Sequence, residues 1–149
     1  MANIEDVKML RQMSGLSMIR CKEALDETGG DFQKAKEVLR KQGAKITEKK
    51  AARQTSAGIV DSYIHAGGKK GSLVQLLCET DFVARNEKFK ELAHDIAMQI
   101  VVVDPANEAE LLASSFIKDE SKSIKDRIDD AVSLLGENIK LGKFYIIEL

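Results

Sequence analysis

The hydrophobic period of this chain changes near residue 55, and that change limits the folds open to it. Before it, apolar residues recur at three-to-four spacing in three short runs. Just after it, residues 58–66 are rich in β-branched and aromatic residues. Asn3 is placed to cap a helix carrying Ile4, Val7, Leu10 and Arg11, which Ser14-Gly15-Leu16 breaks. Ser17 caps a second, with Met18, Cys21 and Leu25 on one stripe, Ile19 on a neighbouring face and Gly29-Gly30 at its end. Asp31 caps a third, with Phe32, Ala35, Val38 and Leu39 inward and Gly43 as the stop. None is long enough to bury a stripe alone, so the three are expected to pack together as a helical module over residues 1–45, resembling ubiquitin-associated domains. Residues 44–54, AKITEKKAARQ, read as a basic joint, with the linker itself at 46–54. Charge divides at the same place: residues 1–54 carry a net +4 and residues 55–149 a net −5.

Residues 58–66, GIVDSYIHA, and 72–80, SLVQLLCET, flank the turn sequence GGKKG and predict an antiparallel hairpin. In the second strand Val74, Leu76 and Cys78 share a face, opposite Leu73, Gln75, Leu77 and Glu79. A long helix follows, with Phe89, Leu92, Ala93, Ile96 and Ile100 toward the sheet and Pro105 at its end. Residues 106–120 read as a short, weakly patterned helix and loop. Residues 121–135 form a further helix on Ile124, Ile128, Ala131, Val132 and Leu135, ended by Gly136. The last stretch alternates Ile139, Leu141, Lys143, Tyr145 and Ile147 as a third strand. The expected class is α+β: a three-helix module, then a three-stranded antiparallel sheet covered by helices, with residues 55–149 as the core domain, which the resemblance given below makes one of dimerisation type.

Composition narrows the function. In 149 residues the net charge is −1, so no global basic field exists to hold nucleic acid. Aromatics are 5% with no Trp, which argues against base-stacking platforms. Two cysteines, Cys21 and Cys78, give no disulfide framework, and reduced thiols are expected. No apolar run reaches the length of a membrane span, and MANIEDVKML is neither a signal nor a transit peptide; a soluble, cytoplasmic protein is expected.

Few residues offer bond-making chemistry. GGKKGS at 67–72 fails the phosphate-loop pattern and leads into a strand, where a phosphate loop must lead into a helix. His65, His94, Cys21 and Cys78 lack zinc-site spacing, and Cys78 reads as a small hydrophobe in its strand. Asp119-Glu120 and Asp129-Asp130 read as solvated charges, no nucleophile has a catalytic context, and neither metal nor cofactor is expected. The basic residues Lys36, Arg40, Lys41, Lys45, Lys49, Lys50 and Arg53 offer a phosphate-backbone surface to an RNA- or ribosome-associated adaptor; without interleaved aromatics a solvated helix end is the favoured reading. Thr80-Asp81-Phe82-Val83 stands apart, placing a large apolar residue at a strand-to-helix turn beside an acid. From pattern alone Phe82 either folds back into the core, the slightly favoured reading, or stays outside for a partner.

Three segments carry a resemblance: KMLRQMSGLSMIRCKEALDETGGDFQKAKEVLRKQGA, VQLLCETDFVARNEKFKELA and LGENI at 135–139. They resemble the elongation factor Ts family, guanine-nucleotide exchange factors for elongation factor Tu, in a short single-lobed form. Thr80-Asp81-Phe82-Val83 looks like the family's signature tetrad. The resemblance implies that the N-terminal module docks on the nucleotide-binding domain of elongation factor Tu through Arg11, Met18, Ile19 and Lys22. It implies that the tetrad meets the same domain on its magnesium side, Phe82 entering a pocket between partner helices and Asp81 disturbing the magnesium and phosphate shell. It implies a factor, not an enzyme, that binds GDP-bound and nucleotide-free partner, with homodimers known among short members. The chain departs from the family pattern at Gly15-Leu16-Ser17-Met18-Ile19, where many members have Gly-Ala-Gly-Met-Met. It departs again at Gly142-Lys143, where many have an Arg pair.

Overall fold

The computed structural model describes residues 1–149. Helices α1 (Ile4–Ser14), α2 (Met18–Glu27) and α3 (Phe32–Lys50) begin at the expected caps. The Asn3, Ser17 and Asp31 side chains accept from the amides of Glu5, Arg20 and Lys34, satisfying donors that a helix start leaves free. Val7, Leu10, Leu16, Cys21, Ala24, Leu25, Ala35 and Leu39 form one buried cluster. Ile4 lies outside it, exposed one turn ahead of Val7.

Gly43 does not stop α3. The helix runs on to Lys50, so residues 44–50 of the expected joint are helical, and Ile46 packs against the core beneath the sheet. Gly43 is buried where α3 crosses the later helix α7 (Ile124–Leu135). A methyl built there would meet the Asp129 Cβ and Ser133 Oγ at 3.7 Å, ordinary contact distances. Gly43→Ala is therefore expected to stabilise the chain by about 0.5–1 kcal/mol, the helix-interior cost of glycine. A shift in the denaturation midpoint reads this, and a lower midpoint would show that the crossing tolerates no side chain.

The sheet has the order β1-β2-β5, antiparallel throughout, from β1 (Ala57–Ile64), β2 (Lys70–Cys78) and β5 (Lys140–Glu148). Register runs from Ala57 opposite Cys78 to Ile64 opposite Gly71. On β2 the alternation holds as expected, with Val74, Leu76 and Cys78 buried. A one-turn helix α4 (Asp81–Ala84) leads into α5 (Glu87–Val103), which lays Phe89, Leu92, Ala93, Ile96 and Ile100 on that face. Helix α7 adds Ile124, Ile128 and Val132, making a 19-residue core separate from that of the first three helices. The opposite face of the sheet leaves Val60, Ile64, Leu73, Tyr145 and Ile147 exposed.

Two local expectations are corrected. Residues 106–120 hold α6 (Glu108–Ala113) followed by a small hairpin, β3 (Ser115–Phe116) and β4 (Asp119–Ser123), so α7 starts at Ile124 and not at 121. Buried Gln99 builds that hairpin, donating to the Ser115 carbonyl at 2.7 Å and accepting from the Ile117 amide at 3.0 Å. In β5 the alternation changes phase: Leu76 faces Leu141 while Val74 faces Phe144, an extra residue on β5. The Gln75 Oε1 accepts from the Lys143 amide at 3.0 Å and fills the bulge. A Cβ on Gly142 would lie 2.7 Å from that of Gln75. Phe144 and Ile146 therefore pack inward, and Tyr145 and Ile147 point out.

Candidate functional site

Strand β2 ends at Cys78, the chain bends at Glu79, and Thr80 is extended before the single turn of α4. The Thr80 hydroxyl caps that turn, accepting from the Val83 amide at 3.3 Å. Val83 and Ala84 are both buried in the main core. Successive helical residues are about 100° apart, so two neighbours facing inward turn the residue before them out. Phe82 is 85% exposed, against the reading that pattern alone favours. Asp81 is exposed beside it and borders a shallow groove with Thr55, Gly58 and Leu77. The expected tetrad is thus divided: Asp81 and Phe82 are presented, Thr80 shapes the turn, and Val83 anchors it.

The underside of the turn rests on residues for which the sequence offered no role. The Glu137 carboxylate accepts from the Glu79 amide at 3.1 Å, the Thr80 amide at 3.0 Å and the Thr80 hydroxyl at 2.8 Å. The Glu79 carboxylate in turn accepts from the Asn138 amide at 2.8 Å and pairs with Arg53 at 3.5 Å. Asn138 Nδ2 donates to the Arg53 carbonyl at 2.7 Å. The available signal was the segment LGENI, which matched the family but says nothing by itself about what Glu137 touches. Cys78 completes the support, its thiol donating to the Thr80 carbonyl at 3.2 Å. Burial, and then the negative charge of Glu137, raise the Cys78 pKa, which keeps the thiol protonated and able to donate.

The second set lies on the first three helices. Arg11 is exposed in the last turn of α1, where a cation complements the helix dipole. Met18 packs partly against the helical cluster, whereas Ile19 is exposed. Lys22 reaches Asp26 at 2.7 Å, and that hydrogen bond, with the carboxylate's charge, raises the Lys22 pKa. No hydrogen bond or ion pair joins these residues to the Thr80 turn. Of the basic stretch, Arg40 pairs with Glu37 and Asp126, Arg53 with Glu79, and Lys50 donates to the Gly136 carbonyl. The histidines, cysteines and acids form no cluster of three or more able to hold a metal ion, and no helix is long and apolar enough to cross a membrane.

The turn thus presents an aromatic ring and a carboxylate at the surface, with its own polar groups satisfied underneath. The family model described as Elongation factor TS matches residues 79–149, from the turn to the last strand. An Elongation factor Ts of Aquifex aeolicus is 42% identical over 95% of this chain, which spans 51% of that relative. One of Coprothermobacter proteolyticus is 38% identical, covering 93% of both chains, and one of Nitratidesulfovibrio vulgaris 37%, covering 96% of this chain and 94% of its own. The chain belongs to the elongation factor Ts family of translation elongation factors. It spans about half the length of the Aquifex protein, and its alignment with the Coprothermobacter one, over 183 positions, is longer than its own 149 residues.

Proposed function

We propose that this chain is a cytoplasmic guanine-nucleotide exchange factor that binds elongation factor Tu, with GDP or without nucleotide, and promotes GDP release by disturbing the magnesium and phosphate site. The observation that carries the reading is the exposure of Phe82 on a turn already fixed by Thr80 and Glu137. Phe82 enters an apolar pocket of the partner, and Asp81 brings negative charge toward the magnesium shell. Residues 1–45 serve as a ubiquitin-associated-like docking module through Arg11, Met18, Ile19 and Lys22, and residues 55–149 as the exchange core. The factor makes and breaks no covalent bond: only contacts better formed in the nucleotide-free state drive release, and GDP weakens the factor by as much as the factor weakens GDP. The test is release of fluorescent GDP from elongation factor Tu. Acceleration by this chain is expected. An unchanged rate, with tight and strongly salt-dependent RNA binding instead, would favour an adaptor working through residues 36–53.

A second copy of the chain is the proposed occupant of the bare sheet face. Leu73 and Tyr145 stand directly opposite each other on neighbouring strands, in the centre of that face, with Val60, Ile64 and Ile147 around them. An exposed apolar face of this kind marks an interaction surface, and an isologous pair of sheets would cover it. Sedimentation is expected to show a dimer for the parental chain and a monomer for the double variant Leu73→Lys, Tyr145→Lys. A parental monomer at tens of micromolar would end this part of the proposal.

A further inference from the structure

Glu137 lies 57 residues beyond Thr80 in sequence, yet its two oxygens take all three donors that the backbone and hydroxyl of Glu79 and Thr80 direct at them. It comes from the short connection between α7 and β5, where Gly136 adopts the left-handed conformation that ends the helix. The connection is itself held in place: Lys50 Nζ donates to the Gly136 carbonyl at 3.1 Å, and Asn138 bonds both Glu79 and the Arg53 carbonyl. Glu137 itself is not one of the core residues, which include Val83, Ala84 and Phe89 on the far side of the turn it holds. What the carboxylate fixes is the entry to α4, and thereby the direction in which Phe82 leaves the surface.

We propose that Glu137 is the positioning residue for Phe82, holding the Thr80 turn in its docking geometry before a partner arrives. The inference rests on the exchange reading above. Without the carboxylate, the Glu79 and Thr80 amides and the Thr80 hydroxyl turn to water, and the ring samples orientations that must be narrowed again on binding. The effect falls on docking of the ring and leaves the fold in place.

The experiment is a double-mutant cycle on the full chain, read as stimulated GDP release from elongation factor Tu. Glu137→Ala is expected to lower the maximal rate about tenfold in the parental background, and by less than about twofold where Phe82 is already alanine. Hydrogen exchange at the Thr80 and Val83 amides is expected to quicken while exchange in α5 stays parental. Glu137→Gln keeps an acceptor for the two amides and is expected to restore most of the rate, and a glutamine variant as slow as the alanine one would overturn the role given to those amide bonds. An equal loss in both backgrounds would make Glu137 merely structural and overturn the inference. So would a parental rate for Glu137→Ala beside a slow Phe82→Ala. A parental rate for Phe82→Ala would instead refute the role given to the ring, and this inference with it.

Discussion

Phe82→Ala is expected to remove most stimulated GDP release while the protein melts at its parental temperature. The two halves of that result have different causes. In the free chain the ring is 85% exposed, and its neighbours Val83 and Ala84 carry the contacts to the core. Truncating an exposed side chain of this kind changes stability by at most about 0.5 kcal/mol. On the proposed reading the same ring is enclosed in the complex. Burial of a phenylalanine removes about 150–250 Å² from water, worth roughly 4–6 kcal/mol gross before ordering costs. Anchors of this size lose about 2–4 kcal/mol on truncation, which corresponds to a fall in exchange of about 30- to 1,000-fold if the contact forms only as nucleotide leaves. The maximal rate is the quantity to follow, because uniform loss of docking would change the half-saturating concentration alone. Phe82→Leu keeps apolar volume and should lie between the two. A Phe82→Ala protein that exchanges GDP at the parental rate would remove the ring from the mechanism.

The elements of this fold were readable where one local rule dominates. Asn3, Ser17 and Asp31 cap the helices they were expected to cap, and Val74, Leu76 and Cys78 point inward because a single apolar face must be covered. Legibility failed where a distant residue decides. Gly43 reads as a stop because glycine is costly inside a helix, but burial against Asp129 and Ser133 carries α3 past it. The phase of β5 depends on the Gln75 side chain entering the bulge at Lys143, and no periodicity within β5 contains that contact. The hairpin of β3 and β4 rests on Gln99 and, one turn before it on α5, Asp95, two buried polar residues that the apolar pattern of the helix does not explain. At the site, the tetrad was conspicuous because an apolar ring at a turn has no local explanation. Its supports were not: Glu137, Asn138 and Arg53 are ordinary polar residues whose role appears only once α3, β2 and the connection to β5 converge.

Gly58→Ala is expected to be the most damaging single-methyl change in residues 55–149. Gly58 sits at φ +153° in β1 opposite Leu77, and an added Cβ would fall 2.3 Å from the Leu76 carbonyl oxygen and 3.0 Å from the Leu77 Cα. Those are backbone atoms of the central strand, which β5 holds from the other side, so β2 cannot withdraw. The edge strand must move instead. A conformation that L side chains rarely adopt costs about 1–3 kcal/mol on its own. Displacing the start of β1 also loosens Ala57 and Ile59 from the core they pack against. A total of about 3 kcal/mol or more follows, which for a chain of this size is a fall in melting temperature on the order of 10 °C. The same displacement reaches the site, because Thr55 and Gly58 border the groove beside Asp81, so exchange should weaken even at temperatures where the variant remains folded. Gly43→Ala adds the identical methyl with the opposite expected sign, since that position is helical and its nearest neighbours stand at 3.7 Å. Melting the two variants side by side separates a glycine kept for close approach of backbones from one that merely weakens its helix. A Gly58→Ala protein melting within about 2 °C of the parent would mean that β1 and β2 are not as tightly opposed as this register requires.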